Sequence, residues 1–117
     1  MNRRDVYNKY DGHCAYCGTR LSPLNWGKPP RGKGDDMTID HIVPTSKGGS
    51  NTLENAIPSC HLCNGQKADR SVEEFRSFIE NITETLDEDK QYRLALRYKK
   101  VVPVKPNPVT FYFENHK

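Results

Sequence analysis

Two Cys-x-x-Cys pairs and one Asp-His step are the residues of this chain whose types and spacing could do chemistry. Cys14-Ala15-Tyr16-Cys17-Gly18 and Cys60-His61-Leu62-Cys63 have the form of zinc knuckles, tight turns that aim two thiolates at one ion. Taken together, Cys14, Cys17, Cys60 and Cys63 make a closed tetrahedral site, which is structural rather than catalytic. Between the pairs, the run Thr38-Ile39-Asp40-His41-Ile42-Val43-Pro44 sets a hard oxygen ligand beside a titratable base in an otherwise apolar segment. Neighbouring side chains of a strand point to opposite faces. Asp40 and His41 could therefore serve one phosphate only where the strand ends or bends, which Pro44 and Lys47-Gly48-Gly49-Ser50 allow. Other readings of the cysteines stay open. A thioredoxin-like redox pair needs a larger α/β setting, disulfides need an oxidising compartment, and His13 or His61 could replace a thiolate.

To hold these groups, the 117 residues suit a single domain, 1–117. A 34% hydrophobic content makes a thin core that needs a staple. No signal-peptide pattern follows Met1, so the cysteines fit a reducing cytoplasm. No stretch approaches the ~20 apolar residues of a bilayer span, and no membrane partner is expected. The net charge of +3 is blocked: residues 1–34 hold seven Lys/Arg against two Asp/Glu and residues 90–117 seven against one, while residues 71–89 sum to −6. Two basic ends around an acidic middle fit a polyanion partner, although charge runs are also ordinary solvated surface.

In chain order, Val6, Tyr7 and Tyr10 read as a short helix stopped by Asp11-Gly12. Residues 21–36, with Pro23, Pro29, Pro30 and three glycines among Lys28, Arg31 and Lys33, form a basic loop whose Trp26 either caps the core or stacks on a base. A strand over residues 37–43 and a short extended piece at Ala56-Ile57-Pro58 pair as a hairpin with a long loop. A short helix carries the second cysteine pair at its start. Ser71-Val72-Glu73-Glu74 is a capping box, and Val72, Phe75, Phe78, Ile79, Ile82 and Leu86 predict one long amphipathic helix. Residues 87–100 read as helix from their types, although Tyr92, Leu94, Leu96 and Tyr98 alternate like a strand. Pro103, Pro106 and Pro108 force an extended tail, and Val109–Phe113 could add an edge strand.

The order Cys-x-x-Cys, Asp-His, Asn, Cys-x-x-Cys-Asn, with Ile39–Pro44, Ser46–Gly49, Asn51, Glu54-Asn55, Asn64 and Lys67 at fixed offsets, resembles the HNH endonucleases of the zinc-stapled ββα-metal kind. The resemblance covers residues 10–70. It implies a small α+β core with a structural zinc, extended over residues 71–117 by helices and a Pro-rich tail. It also implies His41 as general base, Asn55 as the residue holding the loop that orients His41, and Asp40 with Asn64 as ligands of a catalytic divalent metal. Asn64 stands where histidine is commoner, and two oxygen ligands favour Mg2+ or Mn2+. The chemistry asks for the same parts: a water must lose a proton to a base, and a cation must offset charge on the phosphate. An imidazole, with an ordinary pKa of about 6.5, is neutral enough for that task.

The expected function is therefore metal-dependent hydrolysis of DNA, leaving, as the family does, 5′-phosphate and 3′-hydroxyl ends. Lys28, Arg31, Lys33, Lys47, Lys67, Arg93, Arg97, Lys99 and Lys100 are the expected nucleic-acid contacts. The alternatives are a nuclease of RNA or branched DNA, and a zinc-stapled binding module without catalysis. By analogy the size suits a phage, mobile-element or restriction enzyme, and no residue pattern chooses between monomer and homodimer.

Overall fold

A computed structural model describes residues 2–22, 35–103, 105 and 107–115. Trp26, Lys28, Arg31 and Lys33 of the expected basic loop lie outside the described residues. The chain forms two compact units, Met1–Val72 with Thr110–Lys117, and Glu73–Val109.

The first unit begins with helix α1, Arg3–Asn8, whose start is capped by the Asn2 side chain on Arg4 N and whose Val6 is fully buried. Strands β1, Met37–His41, and β2, Ala56–Cys60, pair antiparallel in the register Met37↔Cys60 to His41↔Ala56. Arg3 Nη2 donates to Met37 O at 3.1 Å, and Lys9 Nζ to Leu53 O at 2.7 Å and Ala56 O at 2.9 Å. Two cations of the basic amino-terminal block thus fasten α1 to the hairpin.

β1 stops at His41, two residues short of the expected Val43, because Asn55 takes over the ladder. Its carbonyl accepts from Ile42 N at 2.9 Å, while its side-chain Oδ1 accepts from Val43 N at 2.9 Å. A 3-10 turn, Thr45–Lys47, follows. At Gly49 a Cβ would lie 1.8 Å from Val43 O, so only glycine lets the returning loop pass so close. Every residue of β2 is buried. Pro58 has no N–H to give, and its carbonyl accepts from Ala15 N at 2.9 Å, which ties the first cysteine knuckle to the sheet.

Helix α2, His61–Lys67, starts where β2 ends, with Cys60 as its N-cap. The order β1, β2, α2 delivers the expected α+β core.

In the second unit the single helix expected over residues 71–86 is two, α3 (Val72–Glu80) and α4 (Ile82–Leu86). The break falls at Asn81, which leaves helical geometry (φ −108°, ψ 14°) while Ser77 O accepts both its backbone N–H at 3.2 Å and its side-chain Nδ2 at 2.9 Å. Helix α5, Lys90–Arg97, bears out the helical reading of residues 87–100 and is capped by Asp89 on Tyr92 N. The backbone of Val109 is held on both sides by α3, its carbonyl by Arg76 Nη1 at 2.6 Å and its N–H by Glu80 Oε2 at 2.9 Å.

The expected edge strand over Val109–Phe113 is not formed. In the first unit, Tyr112–Asn115 is instead a helical turn, α6, because Glu114 reaches back to Phe111 N at 2.8 Å as the acidic half of a capping box. Two of its first-turn N–H groups, Tyr112 N and Phe113 N, donate to Tyr16 O and Ala15 O at 3.0 and 2.8 Å. Gly18, at φ 79°, leaves room for this docking: a Cβ there would lie 2.8 Å from the Tyr112 ring. Among the described residues no helix is long and apolar enough to cross a membrane.

Candidate metal centre and nuclease site

The four cysteines meet. Their sulfurs all lie within 4.8 Å of one another, and none is in a disulfide. Cys17 Sγ and Cys60 Sγ are 3.8 Å apart, far beyond the ~2.05 Å of a bond. That spacing matches the edge of a tetrahedron of sulfurs at about 2.3 Å from a zinc ion. The donor set therefore fits one zinc ion. Hydrogen bonds from Cys17, Cys60 and Cys63 push the Cys14 thiol far below its usual range, while sharing of protons with Cys14 and Cys17 pushes Cys60 and Cys63 far up. A zinc ion would take all four sulfurs as thiolates. His13 stacks on Tyr112, at 5.5 Å between centroids, and neither His13 nor His61 belongs to the cluster.

β1 and α2 face each other through two matched contacts. Thr38 and Asp40 share one strand face, and Asn64 and Lys67, one turn apart, share one helix face. Asn64 Nδ2 donates to Thr38 Oγ1 at 3.0 Å, and Lys67 Nζ lies 3.1 Å from Asp40 Oδ2 and 3.1 Å from His41 O. Thr38 spends its own proton on Ser59 O at 2.8 Å, so its oxygen can only accept from Asn64. The amide is thereby fixed with Oδ1 on its other branch. Asp40 Oδ2 also accepts from Tyr16 Oη at 2.5 Å. Among the described residues Asp40 Oδ1 and Asn64 Oδ1 are left as oxygens without a hydrogen bond. Both are hard donors, which fit a small divalent cation such as Mg2+ or Mn2+. The Lys67 ammonium beside the carboxylate weakens that pull on a cation.

His41, at the last position of β1, is half-buried, and its Nε2 lies 3.0 Å from Asn51 Oδ1. Asn55 braces the loop beyond: besides Val43 N, its Nδ2 donates to Val43 O at 3.0 Å and Ser50 O at 2.7 Å. Residues 14–70 match the family model of the HNH endonucleases. This segment is an HNH domain. No curated protein matches the chain.

HNH family members are in general nucleases that use divalent metals on nucleic acids, which sets the class of chemistry for the residues just described. One expected contact needs correction. Lys67 is not on the surface of the HNH segment: its side chain is 0% accessible, enclosed by Asp40 and the His41 carbonyl, and it has no face to offer a phosphate. Lys47 is exposed on the 3-10 turn, and Arg93, Arg97, Lys99 and Lys100 are exposed on and just after α5.

Three residues that carry the geometry had no assigned role in the sequence reading: Asn51, Thr38 and Tyr16. The Tyr16 hydroxyl is pushed well above its usual range by burial and by the Asp40 charge, so it stays a donor to that carboxylate. Its place between Cys14 and Cys17 was the one available signal.

Proposed function

We propose that the chain is a metal-dependent endonuclease that hydrolyses phosphodiester bonds of duplex DNA. The observation that carries this reading is the contact of β1 with α2, where Asn64 Nδ2 donates to Thr38 and Lys67 lies against Asp40, one residue before His41 at the last position of the strand. Asp40 and Asn64 would hold one Mg2+ or Mn2+, which when bound offsets the charge developing on the phosphate.

His41 acts on the water. With Nε2 donating to Asn51 Oδ1, the lone pair is on Nδ1, and that atom takes the proton as the water attacks. Asn55 keeps the Val43–Ser50 loop from drifting, so His41 is presented in one orientation. Asp40 is held between Tyr16 and Lys67. Lys47, the loop cations Lys28, Arg31 and Lys33, and the α5 cluster are the proposed backbone contacts, and zinc at the four cysteines holds the knuckles together.

The test is incubation of supercoiled plasmid, linear duplex, single strands and RNA with Mg2+, Mn2+ or EDTA. Nicked or linearised plasmid is expected with metal and none with EDTA; attack on RNA alone would replace DNA as the substrate. His41→Ala should cost ~10²–10⁴ in rate while zinc content stays unchanged. A folded His41→Ala protein with near-full activity removes His41 as the base.

A further inference from the structure

We infer that Tyr16 is a positioning residue for the catalytic carboxylate: its hydroxyl, with Lys67, occupies Asp40 Oδ2 and so presents Oδ1 alone to the cation. This rests on the reading of Asp40 as a metal ligand and adds to it a residue from the cysteine knuckle. The geometry is specific. Tyr16 Oη donates to Oδ2 at 2.5 Å from a ring that is 2% exposed, and Lys67 Nζ reaches the same oxygen at 3.1 Å. A carboxylate with one oxygen doubly held cannot swing to chelate an ion with both, and its χ2 rotation is stopped.

The tyrosine is itself held from several sides. It sits between Cys14 and Cys17, its carbonyl accepts from Tyr112 N at 3.0 Å, and Ala15 on its amino side bonds Pro58 O and Phe113 N. Its ring meets Phe111 edge-on at 5.2 Å and Phe113 at 6.1 Å between centroids. Such aromatic pairs contribute beyond their buried area. The zinc knuckle and the returning segment Thr110–Asn115 therefore both act on Asp40 through one hydroxyl, without either touching the cleavage site.

Loss of a group that orients a metal ligand typically costs 10–100-fold in metal affinity or activity. The experiment uses the full zinc-loaded chain and three variants. Tyr16→Phe keeps the ring and removes the donor; Tyr16→p-aminophenylalanine keeps the ring and restores a donor; Asp40→Ala removes the carboxylate. Two quantities are read: free Mn2+ by electron paramagnetic resonance during titration into the protein alone, and the Mn2+ concentration for half-maximal plasmid cleavage.

Tyr16→Phe should weaken Mn2+ binding and raise the half-saturating concentration by ~10-fold, with the rate at saturating Mn2+ much less affected, and p-aminophenylalanine should restore most of it. Equal Mn2+ binding by Tyr16→Phe and the natural protein overturns the proposal. Equal loss in both ring-preserving variants also overturns it, because the effect is then not the donor's. If Asp40→Ala itself leaves the Mn2+ requirement unchanged, the ligand reading fails first and takes this one with it. A change in Asp40→Ala but not in Tyr16→Phe removes Tyr16 alone.

Discussion

A lysine three positions after Asn64 reads from sequence as one more cation for a phosphate, and its burial changes what its loss should do. Lys67 is fully buried against Asp40, whose side chain is 8% accessible, so removing it leaves a largely buried carboxylate whose remaining donor among the described residues is Tyr16. Breaking one side of a buried pair costs about 3–5 kcal/mol. Lys67→Met should therefore lower stability in urea denaturation by about that amount, and combining it with Asp40→Asn should recover part of the loss, since no charge is then left unpaired. A surface contact would show almost no stability change. The four cysteines were legible because two pairs repeat one short fixed spacing, whereas Asp40, His41 and Asn64 were singled out by the resemblance to the HNH pattern. Tyr16 and Thr38 were not, because their partners lie 24 and 26 residues away and only the fold supplies that proximity. Asn51 is ten residues from His41, a separation at which no local period links two side chains.

At the scale of elements, α1 and the hairpin were read from apolar spacing and turn residues, and α5 from its residue types against an alternation that suggested a strand. What such signals missed were points where a side chain bonds the backbone at a helix end. Asn81 interrupts a stripe that is otherwise continuous from Val72 to Leu86, and Glu114 turns an aromatic run of high strand propensity into a helical turn by supplying its cap. The end of α5 shows the opposite case, in which the backbone overrides the residue type. Lys100 N bonds Ala95 O at 2.8 Å and Lys99 N bonds Leu96 O at 3.1 Å, a Schellman ending, with Lys99 at φ 58° in the place where glycine is usual. A side chain in that conformation costs about 1 kcal/mol or more. Lys99→Gly should be more stable than Lys99→Ala by about 1 kcal/mol in chemical denaturation, the comparison with alanine cancelling the lost charge. Equal stabilities would show that the turn carries no strain. A strained lysine held beside Lys100 and near Arg93 and Arg97 fits a cation kept for contact rather than for folding.

For the whole molecule, composition set the terms: a thin core needs a staple, and the four sulfurs provide one that joins residues far apart in the chain. One zinc per chain is the expected elemental analysis. Because zinc takes deprotonated thiols, its binding releases protons and weakens as pH falls. Chelation should loosen the knuckles and, through Tyr16, raise the Mn2+ requirement before the secondary structure of the second unit changes. The charge blocks lead to the last prediction. Arg3 and Lys9, from the basic amino-terminal block, are engaged in holding α1 to the hairpin, which leaves the exposed carboxy-terminal cations Arg93, Arg97, Lys99 and Lys100 as the larger described reserve of charge for a polyanion. Asp40 and Asn64 offer a cation too few contacts to hold a duplex by themselves, so affinity must come from phosphates elsewhere. Each phosphate contact on a duplex contributes about 0.9 to the slope of log affinity against log salt, and phosphates carry no base code. Neutralising Arg93, Arg97, Lys99 and Lys100 to glutamine together should flatten that slope by up to ~3.6, weaken binding alike on unrelated sequences, and leave the positions of cleavage unchanged. A slope that does not move would assign the grip to the loop cations Lys28, Arg31 and Lys33, and leave Glu73–Val109 a role in folding or in binding a partner.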